Sequence, residues 1–109
     1  MEYITTILHP IYDPINDEVD VIVDFDLNHA KFHVTFVTYK RAQEIFSEKS
    51  LSTFTNTIFV EQLTQETIHH AIKHVIDEHI YLSIFHPINE QARIALFRKL
   101  TFEKKVDLS

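Results

Sequence analysis

The chain has 109 residues, 45% of them apolar and 12% aromatic, with a formal net charge of −6 at pH 7. This composition excludes disorder and predicts one domain over residues 1–109, large enough for an ordinary core. Cysteine and glycine are both absent. That excludes disulfides, zinc–thiolate centres, thiol nucleophiles, phosphate-cradling loops, dinucleotide fingerprints and nucleophile elbows.

The charge is unevenly placed. Residues 1–30 hold Glu2, Asp13, Asp17, Glu18, Asp20, Asp24 and Asp26 and no lysine or arginine, whereas the rest of the chain carries ten basic and nine acidic groups. Such a field steers encounters with an oppositely charged partner. It would be repelled by phosphates and by anionic lipid, so direct binding to nucleic acid or membrane is not expected. No apolar window is long enough for a membrane span, and the first residues do not read as a secretory leader. Together with the missing cysteine, this sets the expectation of a cytoplasmic protein.

In chain order, residues 2–8 read as a short strand, ended by the loop around Pro10 and Pro14. Over residues 18–26, Val19, Val21, Val23 and Phe25 alternate with Asp20, Ile22, Asp24 and Asp26. Period two is the signature of a strand with one buried face. The aspartates then line the other face at steps of about 6.8 Å, a spacing like that of phosphates along a nucleic-acid strand. One reading is a solubility device that keeps an exposed sheet face unaggregated. The other is a binding face, with Asp17, Glu18, Asp20, Asp24 and Asp26 as the partner-binding residues.

Residues 31–39 repeat the alternation, with Phe32, Val34 and Phe36 facing in. The link Leu27-Asn28-His29-Ala30 makes the two strands a hairpin. Without glycine, turns are expected to rely on Asn, Asp, Ser and Pro. Residues 40–49 read as a helix with Ala42, Ile45 and Phe46 inward, and residues 55–61 as a further strand. Thr64 is placed to cap a helix with Glu66 in its first turn. Ile68, Ala71, Ile72, Val75, Ile76 and Ile80 form its apolar stripe. Residues 81–85 fit a helix or a strand. Pro87 ends that segment, and Asn89 caps a last helix to residue 100, with a frayed tail from residue 104. The tripeptide His9-Pro10-Ile11 recurs as His86-Pro87-Ile88 and reads as coincidence. The fold class is α+β: an antiparallel-containing sheet of about four strands with two or three helices on one face.

Eight histidines raise the question of a metal or a catalytic base. His70, His74 and Glu78 are spaced to share one helix face. That face is opposite the apolar stripe, and a solvated surface is the better reading. His33 lies on the outer face of its strand and His29 in the turn. Either imidazole could act as a general base, but no nucleophile motif stands beside them. Asp20, Asp24 and Asp26 lack the bent, carbonyl-rich loop that a hard cation requires.

The segment from Val19 to Glu78 resembles a known family. Its hairpin with the second strand Phe32-His33-Val34-Thr35-Phe36-Val37-Thr38, a short helix, the strand Ile58-Phe59-Val60-Glu61 and the amphipathic helix from Ile68 to Asp77 occur in that order. They are similar in layout to the small α+β immunity proteins of bacterial polymorphic-toxin and contact-dependent growth-inhibition systems, in particular the family catalogued as immunity protein eight. The resemblance implies a cytoplasmic antitoxin that binds a cognate toxin and performs no catalysis. Toxins of this kind are often nucleases with basic clefts, which an acidic strand would fit. No cofactor is expected. The alternative is a small histidine-dependent enzyme or metal-binding domain using His70, His74 and Glu78. A nucleic-acid mimic aimed at a host nuclease would share the acidic face.

Overall fold

The computed structural model describes residues 2–49 and 54–108. Five strands and four helices follow in the order β1 (Tyr3–Ile7), β2 (Glu18–Phe25), β3 (Lys31–Thr38), α1 (Tyr39–Lys49), β4 (Thr57–Val60), α2 (Gln65–Asp77), α3 (Tyr81–Ile84), β5 (His86–Pro87) and α4 (Glu90–Leu108). The α+β class is as the sequence indicates, with one more strand and one or two more helices among the described residues.

β1, β2 and β3 form an antiparallel meander, in which Thr5 lies opposite Val23, and Val21 opposite Val34. The far edge of β3 is shared. β4 runs parallel to it along residues 35–38, and β5 runs antiparallel along residues 32–33. The α1 segment belongs to the crossover that parallel pairing of β3 and β4 demands. The period-two pattern places Val19, Val21, Val23 and Phe25 on the same face as Phe32, Val34 and Phe36, all of them buried. α2 covers that face with Ile68, Ile72, Val75 and Ile76, and Phe85 and Ala92 complete the core. Tyr81 packs into an aromatic group, with ring centroids 5.2 Å from Phe25 and 6.0 Å from both Phe32 and Phe85.

Local signals account for most boundaries. The Thr64 hydroxyl accepts from the Thr67 amide at 3.0 Å, so it caps α2 as expected. α2 ends in a Schellman turn: the His79 amide donates to Ile76 O and the Ile80 amide to Val75 O. The residue that a glycine would usually supply there is His79, at φ 58°. His29 and Asn56 occupy the left-handed region as well. The turns therefore use histidine, and not only the Asn, Asp, Ser and Pro expected. Both Asn and His tolerate this region better than bulkier residues do.

Several expectations need correction. Phe46 is 57% exposed, and among the described side chains of α1 only Ile45 is buried. That residue lies outside the main core, because α1 packs on β3 at the end of the sheet. Ile80 is exposed, since the chain has left the helix by then. Residues 81–84 form a helical turn, closed by the Phe85 amide on Tyr81 O at 2.7 Å. Pro87 is not a simple stop but part of β5, where its missing N–H is tolerated at a sheet edge. α4 runs on to Leu108 through the segment expected to fray.

One side chain ties the hairpin to the last helix. Asn89 Oδ1 accepts from the Lys31 amide and from the Ala92 amide, both at 3.0 Å, and Asn89 Nδ2 donates to His29 O at 2.7 Å. Asn89→Ala should cost about 2–3 kcal/mol, because it removes a helix cap and two turn contacts together. Asn89→Asp, which keeps the acceptor, should recover part of it. Equal losses in the two variants by chemical denaturation would contradict this role. In the core, Phe36 is fully buried, and Phe36→Ala should cost about 3–5 kcal/mol in one cooperative transition. A loss below about 1 kcal/mol would contradict the packing described.

Candidate functional site: the open face of the sheet

The helices that build the core lie on one face of the sheet, which leaves most of the other face half exposed; Val37, at the end of β3, is the exception and is buried there outside the main core. Strand register fixes its contents. Ile4, Asp24 and Lys31 form one row across the strands, and Thr6, Ile22, His33 and His86 the next. Asp20, Thr35 and Thr57 form a third, and Glu18, Val37 and Phe59 a fourth. The Asp26 amide extends the β1–β2 ladder by donating to Glu2 O at 3.2 Å, so the same alternation brings Glu2 and Asp26 to this face. Five carboxylates and one lysine therefore share one surface.

Asp20 sits at its centre and is the most engaged of them. The Thr35 hydroxyl donates to Asp20 Oδ1 at 2.9 Å, and His33 Nε2 approaches the same oxygen at 2.9 Å. His9 Nε2 lies 3.6 Å from Asp20 Oδ2 and 3.3 Å from the Asp20 amide. The Leu8 amide donates to Asp20 O at 2.9 Å. The last rung between β1 and β2 is thus half backbone and half imidazole. Desolvation is the largest single influence on the Asp20 carboxyl and pushes it up. The Thr35, His33 and His9 contacts together outweigh it and hold the group below the usual carboxylate value.

The remaining candidates differ in their surroundings. Lys31 Nζ stands 3.9 Å from Asp24 Oδ2, a loose exposed pair of little energetic weight. Glu18 and Asp26 are exposed. Asp17 serves the backbone. Its carboxylate accepts from the Glu18 amide at 2.8 Å, and its main chain is bonded to Thr38. The structure therefore brings Glu18, Asp20, Asp24 and Asp26 together on one face, with Asp17 at its end as a local cap.

His70 and His74 are exposed on α2, and Glu78 lies one residue past its last turn. Among the described residues, no three His, Asp or Glu side chains are grouped to hold a metal ion. No described helix is long and apolar enough to cross a membrane. His29 holds the hairpin turn, where its carbonyl accepts from Asn89.

Charge patterning alone missed His9, Thr35 and His86. A signal for two of them was present: the repeated His-Pro-Ile tripeptides bring His9 and His86 to the same face, one on each side of His33. Compared with family models, with curated proteins and with solved structures, the chain shows no significant match.

The Asp20 contacts carry a pH signature. A carboxyl held below its unfolded value stabilises the fold above about pH 3.9, and that contribution is lost as the pH falls through the lower folded value. Asp20→Asn should therefore lower the melting temperature at pH 7, with a deficit that shrinks below about pH 4. A deficit that stays constant from pH 7 to pH 3 would contradict the assignment.

Proposed function

We propose that the chain is a single-domain immunity protein. It binds a cognate bacterial toxin, a nuclease, by laying its open acidic face over the toxin's basic active-site cleft. The observation that carries this reading is the row Glu18, Asp20, Asp24 and Asp26, registered on a face that the core-building helices leave uncovered. A flat sheet face of one charge sign fits a cleft of the opposite sign. Such complementarity raises association rates and excludes like-charged partners. The contacts that fix Asp20 present it in one geometry, which lowers the ordering cost of binding. The choice of a toxin as the partner comes from the resemblance of the sequence layout to immunity proteins. Inhibition by occlusion takes place where the toxin acts, in the cytoplasm, and requires neither catalysis nor a cofactor.

The test is co-expression with the toxin domain encoded beside this gene. The wild-type chain should protect growth. Glu18→Lys, Asp24→Lys and Asp26→Lys combined should leave the fold intact, at a cost of about 0.5 kcal/mol or less per site. They should slow association with the toxin about 10-fold or more at low salt, with loss of protection. Asp20 is left in place, because its reversal would also break the contacts to Thr35 and His33. Undiminished protection by the triple variant, or a neighbouring gene with no toxin domain, would contradict the reading.

A further inference from the structure

The carboxylates are not alone on the open face. His33 lies in β3 directly across from His86 in β5, so their side chains share the face at a Cβ separation of about 5 Å. His9 reaches the same area from the end of β1, with Nε2 at 3.6 Å from Asp20 Oδ2. These are three of the chain's eight histidines, brought together from three separate segments. The charged groups around them are Glu18, Asp20, Asp24 and Asp26 from β2 and its turn, Glu2 before β1, and Lys31 at the start of β3. β4 contributes Thr57 and Phe59, which do not titrate in this range.

We propose that these three histidines gate the acidic face, so that it holds a basic partner at neutral pH and releases it under mildly acidic conditions. The inference rests on the docking reading above. Imidazoles change charge between about pH 5 and 8, where carboxylates remain ionised. With the histidines neutral, the five carboxylates outnumber the one lysine by four. With all three charged, the excess falls to one.

The geometry at Asp20 adds a local effect. A neutral His9 offers the Nε2 lone pair to the Asp20 amide at 3.3 Å. An imidazolium has no lone pair there and must instead donate to the carboxylate. A charged His33 likewise holds Asp20 Oδ1 in an internal ion pair at 2.9 Å. Protonation therefore both lowers the net charge of the face and occupies its central carboxylate. By linkage, a cationic partner that prefers the neutral histidines must expel their protons as it binds.

A nona-arginine peptide is the probe, titrated calorimetrically at fixed ionic strength. Wild-type protein should bind at pH 7.5 and at least about 10-fold more weakly at pH 5.5. His9→Gln, His33→Gln and His86→Gln combined should bind with nearly the same affinity at both values. Binding by the wild type at pH 6.5, compared in buffers of different ionisation enthalpy, should release protons; this readout needs no variant. Equal wild-type affinity at the two pH values, an equal acid-induced loss in the glutamine variant, or no proton release would overturn the gate and leave the docking reading standing. Absence of binding at pH 7.5, or wild-type affinity in the Glu18→Lys, Asp24→Lys, Asp26→Lys variant, would overturn the docking reading and the gate with it.

Discussion

Burial of Val19, Val21, Val23 and Phe25 beside Phe32, Val34 and Phe36 dictates everything on the opposite face. Strand geometry gives each buried residue a neighbour that points the other way. Once α2 has covered the apolar set, Glu18, Asp20, Ile22 and Asp24 have only the open side to occupy. A slip of one residue would move that row, three carboxylates among it, into the core, at several kcal/mol for each unpaired charge. The register is therefore held from both sides. The acidic face is a consequence of core packing as much as a surface added to it.

The other devices secure that arrangement at its ends. At the turn end, Asn89 ties the hairpin to α4. At the start of β2, the Asp17 main chain is bonded to Thr38, whose hydroxyl also accepts from the Arg41 amide at the start of α1. Midway along β2, His9 replaces a missing ladder carbonyl and holds β1 against Asp20. The residues that make the face chemically distinctive thus also hold the sheet together. For this reason charge reversal at Asp20 and at Glu18 are different experiments, the first altering structure and charge together and the second mainly charge.

The strands β1 to β4, the N-cap of α2 and the inward phenylalanines of the hairpin were legible in the sequence, because each rests on a short-range rule. Period two, a threonine before an apolar helical stripe and a four-residue turn are all local. What escaped depended on contacts far apart in the chain. β5 is only His86-Pro87, too short to show any period, and exists because the edge of β3 beyond β4 was still open. Phe46 looked inward on a helical wheel, but α1 lies outside the main core and leaves that side chain exposed. The candidate site was legible as a row of carboxylates and illegible as a cluster. Nothing in the spacing of His9, Asp20, His33 and His86 reveals that four segments converge, apart from a tripeptide repeat that reads as chance until the sheet register is known.

The central claim is that a partner sits on the open face of the sheet and not on the helices. Isoleucine methyl groups report on both surfaces. Ile4 and Ile22 lie on the open face among the carboxylates, whereas Ile80 and Ile94 are exposed on the helical side. Methyl NMR spectra of isoleucine-labelled protein, recorded while the proposed toxin partner is added, separate the two directly. The account predicts that Ile4 and Ile22 shift or broaden while Ile80 and Ile94 stay in place. Movement of Ile80 and Ile94 with Ile4 and Ile22 unchanged would place the interface on the helices and contradict it.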